Sequence, residues 1–320
     1  MNNVICIGSS TKDVFFPTNE GVIMETPEDL KSQRKIAFEL GAKFHVEDRF
    51  ESLGGCAVNV SCGLRRLGVP SACYTVVGDD LIGGWLKKEL EKEGVDTALV
   101  VEEKCLSGLS AIIVDQNSGE RIIFSNQEAN ERMQIDADNL TGAEWISISD
   151  PNGDWKKILD TVVDAAERYD SKMSFNPRGN NIQEDARKVF ELAGKMEIFF
   201  VNKDEAIEIL MARNAELESQ DEEYLLKELK KSGAQIVVLT DGVRGAWAYD
   251  GEKLAHDDAT NTSAVDTTGA GDAFSSGFLA AYIKGKDLAE CVRWGTQNGG
   301  NVVKFYGGVE GLLKESQIDN

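Results

Sequence analysis

Short apolar runs alternate with amphipathic segments along the 320 residues, and that alternation restricts the fold more tightly than any other feature of the chain. Val4–Ile7, Ala72–Val77, Trp145–Ile148, Lys172–Phe175, Ile198–Val201, Ile236–Thr240 and Gly245–Tyr249 have the length and apolar content of buried strands. Ala57–Leu67, Leu81–Glu93, Trp155–Tyr169, Glu184–Leu192, Lys203–Ala212, Glu222–Ser232, Gly271–Ile283 and Leu288–Lys304 carry helical periodicity, and Gly311–Gln317 carries a weaker form of it. Strand then helix, repeated, predicts an α/β fold with a doubly wound, mainly parallel sheet flanked by helices. No internal repeat or Pro/Ser-rich linker interrupts the pattern, so the expectation is one domain spanning 1–320. A unit of that size buries roughly 75% of its unfolded surface and needs no disulfide staples.

Two stretches leave the rhythm. Residues 14–50, approximately, mix glycine and polar residues with short alternations such as Ala42-Lys43-Phe44-His45-Val46. Residues 107–126 read as a hairpin, with strands Leu109–Val114 and Arg121–Phe124 around a turn at Asp115–Gly119. Both have the one-polar-face pattern of a small β-sheet projecting from the main body, placed to act as a lid. An inert surface insertion is the plainer alternative.

Lysine and arginine number 34 against 55 aspartates and glutamates, a net charge of −21, and no basic run exceeds two residues. Such a surface repels phosphate backbones and anionic lipid heads, which argues against nucleic acid and membranes as partners. No apolar stretch approaches the ~20 residues of a membrane span. The opening MNNVICIGSS lacks the basic and long apolar regions of a signal peptide. The six cysteines form no C-x-x-C pair and several lie in apolar runs, so they read as reduced, buried thiols of a cytoplasmic protein. Only His45 and His256 are present, little material for a zinc cage.

The chemistry is concentrated in Asp266-Thr267-Thr268-Gly269-Ala270-Gly271-Asp272-Ala273-Phe274, which runs directly into a helix with Phe274, Phe278, Ala281 and Tyr282 apolar. Small residues there let amides crowd at a helix start, where several N–H groups lack intrahelical partners and the dipole is positive. The result is an anion cradle that needs no lysine or arginine, a device open to so acidic a protein. Asp272, in the first turn, stands beside the cradle, placed to take a proton from a hydroxyl attacking a bound phosphoryl group. An ordinary helix cap uses the same residue types. The string is neither the G-K-[ST] phosphate loop nor the G-x-G-x-x-G dinucleotide fingerprint.

The full string DTTGAGDAFSSGF resembles the C-terminal signature of the ribokinase/PfkB carbohydrate-kinase family, D-T-x-G-A-G-D-x-F-x-x-G. Four further segments are similar to that family in the expected order: GGCAVNVSCGLRRLG from Gly54 to Gly68, the G-x-D-x-x-G stretch within Val76–Thr97, Asn202-Lys203-Asp204-Glu205, and Thr240 to Gly245. The resemblance implies a ribokinase-like fold and an ATP-dependent kinase acting on an alcohol group. It implies Asp272 as general base, with Gly269, Ala270 and Gly271 as the anion hole for the transferred γ-phosphoryl group. Asp13, Gly54, Gly55 and Asn59 are implied as contacts to the acceptor, with Asp150 beside them. Asn202, Thr240, Gly242, Gly245 and Asn298 are implied on the nucleotide, and Asn202 and Glu205 around Mg2+ through water. Asp266 and Thr268, with carbonyls from Val303 to Gly311, match the place where many members bind a monovalent cation such as K+. A turn or cap is the plain role for Asp13, and a capping box for Asn202 with Glu205. A homodimer through the lid is a further expectation of the resemblance.

Several members carry Lys after the glycine pair, where this chain has Cys56. A phosphorylated acceptor calls for an arginine or lysine fork, whereas carboxylates and amides suit neutral hydroxyls. The expected acceptor is therefore a neutral sugar such as ribose or fructose. A nucleoside, its base stacked on Phe15, Phe16 or Phe44, is the alternative, and Arg178 in FNPRG is the residue able to reverse the choice by reaching an anion. A catalytically silent nucleotide- or sugar-binding member is the rival from another class. It would be expected to lose Asp272 or a cradle glycine, and all are present.

Overall fold

The computed structural model describes residues 4–25, 34–117, 120–177, 179–213, 216–259 and 264–318. From the N-terminus the chain forms β1 (Val4–Gly8), β2 (Thr11–Thr18), β3 (Val22–Glu25), β4 (Arg34–Ala37) and β5 (Phe50–Gly54), then α1 (Cys56–Arg66). Next come β6 (Ser71–Gly78), α2 (Leu81–Lys92), β7 (Val100–Glu103), β8 (Leu109–Asp115), β9 (Arg121–Asn126) and the one-turn α3 (Glu128–Glu131). Strand and helix alternate through β10 (Trp145–Ser149), α4 (Trp155–Tyr169), β11 (Lys172–Asn176), α5 (Gly179–Ala193), β12 (Ile198–Asn202) and α6 (Lys203–Met211). The remainder is α7 (Glu222–Lys230), β13 (Ile236–Thr240), β14 (Ala246–Tyr249), β15 (Leu254–Asp257), α8 (Ala270–Ile283) and α9 (Leu288–Val302).

The main sheet has the order β15-β14-β13-β12-β11-β10-β1-β6-β7. It is parallel from β13 to β7 and antiparallel only at the β13-β14-β15 edge. Every residue of β1 and β6 is buried, because helices cover both faces. Alternate side chains of β1 feed two cores: Val4 and Cys6 pack with α1, α2, α8 and α9, and Ile5 and Ile7 pack with α4, α5, α6 and α7. This is the doubly wound arrangement that the strand–helix alternation predicts.

The departures are local. β7 and β15, four residues each near or at the sheet edges, carry too little apolar signal to be expected. The helix expected from Glu184 begins at Gly179 and breaks at Asp185, whose φ is −158°. The weak helical pattern over Gly311–Gln317 yields only a 3-10 turn at Glu315–Gln317. Leu312 and Leu313 are buried there by tertiary packing, and the Leu313 amide donates to Asn298 Oδ1 instead of to a helical carbonyl.

A second, smaller sheet has the order β5-β2-β8-β9. It is mixed, with β2 parallel to β8 and antiparallel to β5, and β8 antiparallel to β9. It reaches past the expected stretches, to Thr11 and Gly54. Ser118 and Gly119 of the expected turn lie outside the described residues. β3 and β4 pair as a separate ribbon. Phe15 packs with Ile112, Val114 and Tyr306, and Phe44 lies 5.4 Å from Phe38. The cysteines are free thiols, all buried except the half-buried Cys56 and Cys105. Among the described residues no helix is long and apolar enough to cross a membrane.

Candidate active site

β1 joins β6 on one side and β10 on the other, so the winding reverses between β1 and β10 and opens a crevice at their carboxyl ends. Ser9 and Asp150 stand at that crevice. Asp150 has φ 52°, a left-handed conformation uncommon for any residue but glycine, and Ser9 Oγ donates to its Oδ2 at 2.9 Å. Ser9 Oγ also accepts from the Cys56 amide at 3.1 Å, which ties the start of α1 to the same point. Gly55, between β5 and α1, has φ 91°, and a Cβ there would lie 2.5 Å from the Ser9 carbonyl oxygen. Only glycine turns the chain here. A Cβ on Gly54 would lie 2.1 Å from Asp13 Oδ2, so Gly54 makes the room that the Asp13 carboxylate occupies.

Gly63 of α1 meets Ser276 of α8 so closely that a Cβ would lie 2.1 Å from Ser276 Oγ. That approach sets Asn59, one turn earlier, against Asp272: Asn59 Nδ2 donates to Asp272 Oδ2 at 2.8 Å. Both side chains are buried, and Asn59 Oδ1 has no hydrogen-bond partner among the described residues. Burial pushes the Asp272 carboxyl up to about 7; hydrogen bonds from Asn59 and Cys56 oppose this, and the charges of Asp150 and Asp13 add to it. The Asp13 carboxyl is raised as well, by burial foremost and by the Asp266 charge, against hydrogen bonds from Thr11 and Ser110. Thr11 Oγ1 donates to Asp13 Oδ1 at 2.9 Å. A carboxylate titrating near neutrality inside a crevice is matched to proton abstraction.

Gly269 caps α8 with φ 75°, and a Cβ there would lie 2.4 Å from Gly308 Cα. The Ala270 amide reaches back to the Thr267 carbonyl at 3.4 Å, and the helical ladder starts with the Ala273 amide on the Gly269 carbonyl at 2.8 Å. Between them the amides of Gly271 and Asp272 have no backbone acceptor among the described residues. A Cβ on Gly271 would meet nothing within 4 Å, so the space beside that residue is open. The Gly269 amide is equally without a backbone acceptor among the described residues, so of the expected cradle of residues 269–271 only the Ala270 amide is engaged within the turn.

Asp266 organises the neighbouring loops. Its Oδ1 accepts from the Thr268 amide at 3.0 Å and Thr268 Oγ1 at 2.7 Å, and its Oδ2 accepts from the Gly307 amide at 3.0 Å. The next residue back from Gly307 is Tyr306, which stacks on Phe50 of the small sheet at 4.8 Å and lies 5.6 Å from Phe15. From the far edge of that sheet, Arg121 Nη1 donates to Thr267 Oγ1 at 2.7 Å. Sequence spacing flags none of Ser9, Arg121 and Tyr306. Arg121 and Thr267 are 146 residues apart, and no local pattern links them.

On the opposite flank Asn202 and Thr240 are register partners at the ends of β12 and β13. Asn202 Oδ1 accepts from the Glu205 amide and Glu205 Oε2 accepts from the Asn202 amide, each at 2.9 Å, so the capping box is formed. Burial pushes the Glu205 carboxyl up to about 7; the Asn202 amide opposes this, and the charges of Glu208, Asp204 and Asp150 add to it. Oxygen ligands of this type suit a hard divalent cation; among the described residues no group of three or more His, Cys, Asp or Glu side chains is placed to hold one. Gly242 faces open space, whereas a Cβ on Gly245, φ 93°, would lie 2.1 Å from the Asp257 carbonyl oxygen. Arg244 pairs with Asp241 and Glu222, and Lys203 reaches Glu222 at 2.6 Å. Asn298 is a correction to the sequence expectation. Its side chain is wholly buried, donating to the Ala273 carbonyl at 2.8 Å and Ser276 Oγ at 3.1 Å and accepting from the Leu313 amide, so it joins α8, α9 and the C-terminal segment instead of facing a nucleotide. Arg178 lies outside the described residues.

A profile of the pfkB family carbohydrate kinases matches residues 29–314. The chain belongs to that family. An uncharacterized sugar kinase of Archaeoglobus fulgidus is 32% identical over 256 residues, 78% of this chain and 98% of the relative. A candidate ribokinase II from E. coli, solved with ATP and Mg2+, superposes with a TM-score of 0.79 at 18% identity, covering 99% of this chain and 98% of that one. A nucleoside kinase of Burkholderia thailandensis, solved with inosine, gives a TM-score of 0.78 at 19% identity, covering 99% and 96%. The fold of this kinase is accordingly ribokinase-like. It is a phosphotransferase with a hydroxyl acceptor, a sugar or nucleoside kinase of a family that uses ATP.

Proposed function

We propose that this kinase transfers the γ-phosphoryl group of ATP to a hydroxyl of a neutral sugar of the ribose or fructose class. The observation that carries the reading is the buried Asp272 carboxylate, held by Asn59 Nδ2 at 2.8 Å beside amides that lack a backbone acceptor. ATP lies toward Asn202, Thr240, Gly242 and Gly245, its terminal phosphate at the start of α8. The acceptor lies in the β1–β10 crevice against Asp13, Gly54, Gly55, Asn59 and Asp150, where the unpartnered Asn59 Oδ1 accepts from a hydroxyl. Asp272 takes the proton of the attacking hydroxyl as the new O–P bond forms and the bond to the ADP oxygen breaks. The open amides stabilise charge on the passing phosphoryl group. Asn202 and Glu205 would hold Mg2+, which when bound neutralises charge on the phosphates.

The donors that meet Asp13 and Asp272 are hydroxyls, a thiol and an amide, which favours a neutral acceptor over a phosphorylated one. Of the phenylalanines expected to stack on a base, Phe15 is fully buried against Ile112, Val114 and Tyr306, so its face is not offered to one, while Phe44 stays 39% exposed. In a coupled ADP-release assay across free sugars, sugar phosphates and nucleosides, the highest kcat/KM is expected for a free sugar. Preferred turnover of fructose 1- or 6-phosphate, or of a nucleoside, overturns the assignment.

Asn59→Ala removes a donor that favours the ionised form of Asp272. Hydrogen bonds to charged groups of this kind contribute about 1.5–3 kcal/mol, so kcat should fall roughly 10- to 100-fold. The acid limb of the pH–rate profile should also move upward. A profile that stays in place shows that Asn59 does not hold the base.

A further inference from the structure

Ser9 follows β1 directly and is 2% exposed, too enclosed to be a ligand contact itself. Two close approaches enclose it. A Cβ on Gly8 would lie 1.9 Å from the Ser149 carbonyl oxygen, and a Cβ on Gly55 would lie 2.5 Å from the Ser9 carbonyl oxygen. The ends of β1 and β10 and the turn into α1 therefore meet at this one residue. Its hydroxyl is engaged on both sides there: the proton goes to Asp150 Oδ2 at 2.9 Å, and the oxygen accepts from the Cys56 amide at 3.1 Å.

The main chain of Asp150 is fixed from other directions. Its amide donates to the Asn176 carbonyl at 3.1 Å, and its carbonyl accepts from Asn152 Nδ2 at 2.9 Å. Those bonds hold the left-handed backbone, φ 52°, while the bond from Ser9 acts on the carboxylate itself. Asp150 is half-buried, and its charge reaches both Asp272 and Glu205, which places it inside the crevice. We propose that Ser9 is a positioning residue for the acceptor: it aims the Asp150 carboxylate into the β1–β10 crevice before binding, and so sets acceptor affinity without touching the acceptor. This rests on the reading of Asp150 as an acceptor contact. A carboxylate already held needs no ordering when a hydroxyl arrives, and that ordering is what the loss of Ser9 would add to the cost of binding.

The test measures steady-state kinetics of the wild type, Ser9→Ala, Asp150→Asn and the double variant, with whichever acceptor the wild type turns over best. Asparagine tolerates the left-handed region as aspartate does, so Asp150→Asn keeps the main chain in place. Ser9→Ala should raise the acceptor KM about tenfold, leave the KM of ATP within about twofold and lower kcat by less than about threefold. Asp150→Asn should raise the acceptor KM by at least as much. Adding Ser9→Ala to Asp150→Asn should then cost less than about twofold, because the carboxylate through which Ser9 acts is already gone. Losses that multiply in the double variant, a Ser9→Ala protein that raises both KM values alike, or a loss confined to kcat each overturn the proposal. An Asp150→Asn protein with the wild-type acceptor KM overturns it even where Ser9→Ala does not fold. A crystal structure of Ser9→Ala without acceptor should show the Asp150 carboxylate turned away from its wild-type place, and a carboxylate that keeps its place contradicts the role given to Ser9. That structure needs no turnover, so a wild type inactive on every free sugar would count against the neutral-sugar reading and leave this test intact.

Discussion

Asp272→Asn is expected to lower kcat by about 10²–10⁴-fold, the usual scale of a lost general base. The asparagine keeps the shape that Asn59 and Cys56 surround and removes only the ability to take a proton. Binding of ADP, followed by calorimetry, should be unchanged. Stability should respond in a defined direction. The wild-type carboxyl holds its proton in the folded state up to about pH 7, against an ordinary value of 3.8. Its contribution is therefore fully present below about pH 4 and is lost as pH rises through about 7. The asparagine variant has no such loss, so its Tm relative to wild type should improve from pH 4 to pH 8. A variant with near-normal kcat removes Asp272 from the mechanism.

Gly269→Ala should be nearly as damaging by a different route. An alanine at φ 75° sits in the left-handed region, at a cost of about 1–2 kcal/mol, and its Cβ would lie 2.4 Å from Gly308 Cα. That neighbour is backbone, so either the turn before α8 or the 305–308 loop must shift. Either movement re-aims the Gly271 and Asp272 amides away from a bound phosphate. Misplacing one such donor lowers kcat by about 10²–10³-fold. The variant should also lose several degrees of Tm, which separates it from Asp272→Asn. Wild-type kcat in a folded Gly269→Ala protein contradicts the role given to these amides.

The main sheet is legible because β1, β6 and their neighbours are buried on both faces and leave unbroken apolar runs in the sequence. Short strands such as β7 leave no such run. The 266–272 segment is legible because its elements are adjacent in the chain, and the reach of Asn202 to Glu205 is legible for the same reason. What sequence does not carry is partnership at a distance. Asn298 looks like a residue free to meet a ligand until the Ala273 carbonyl and Ser276 Oγ of α8 and the Leu313 amide of the C-terminal segment surround it. Ser9 with Asp150, and Arg121 with Thr267, are brought together only by the topology of the two sheets.

The most direct test is the pH dependence of kcat/KM for the best acceptor, measured from about pH 5 to 9 on the wild type and on Glu205→Gln, because Glu205 is the other carboxyl pushed up to about 7. With Asp272 as the base, log kcat/KM should rise with unit slope and bend to a plateau near pH 7, and the bend should persist in Glu205→Gln. A profile flat across this range, or a bend that disappears with Glu205, contradicts Asp272 as the group that takes the proton.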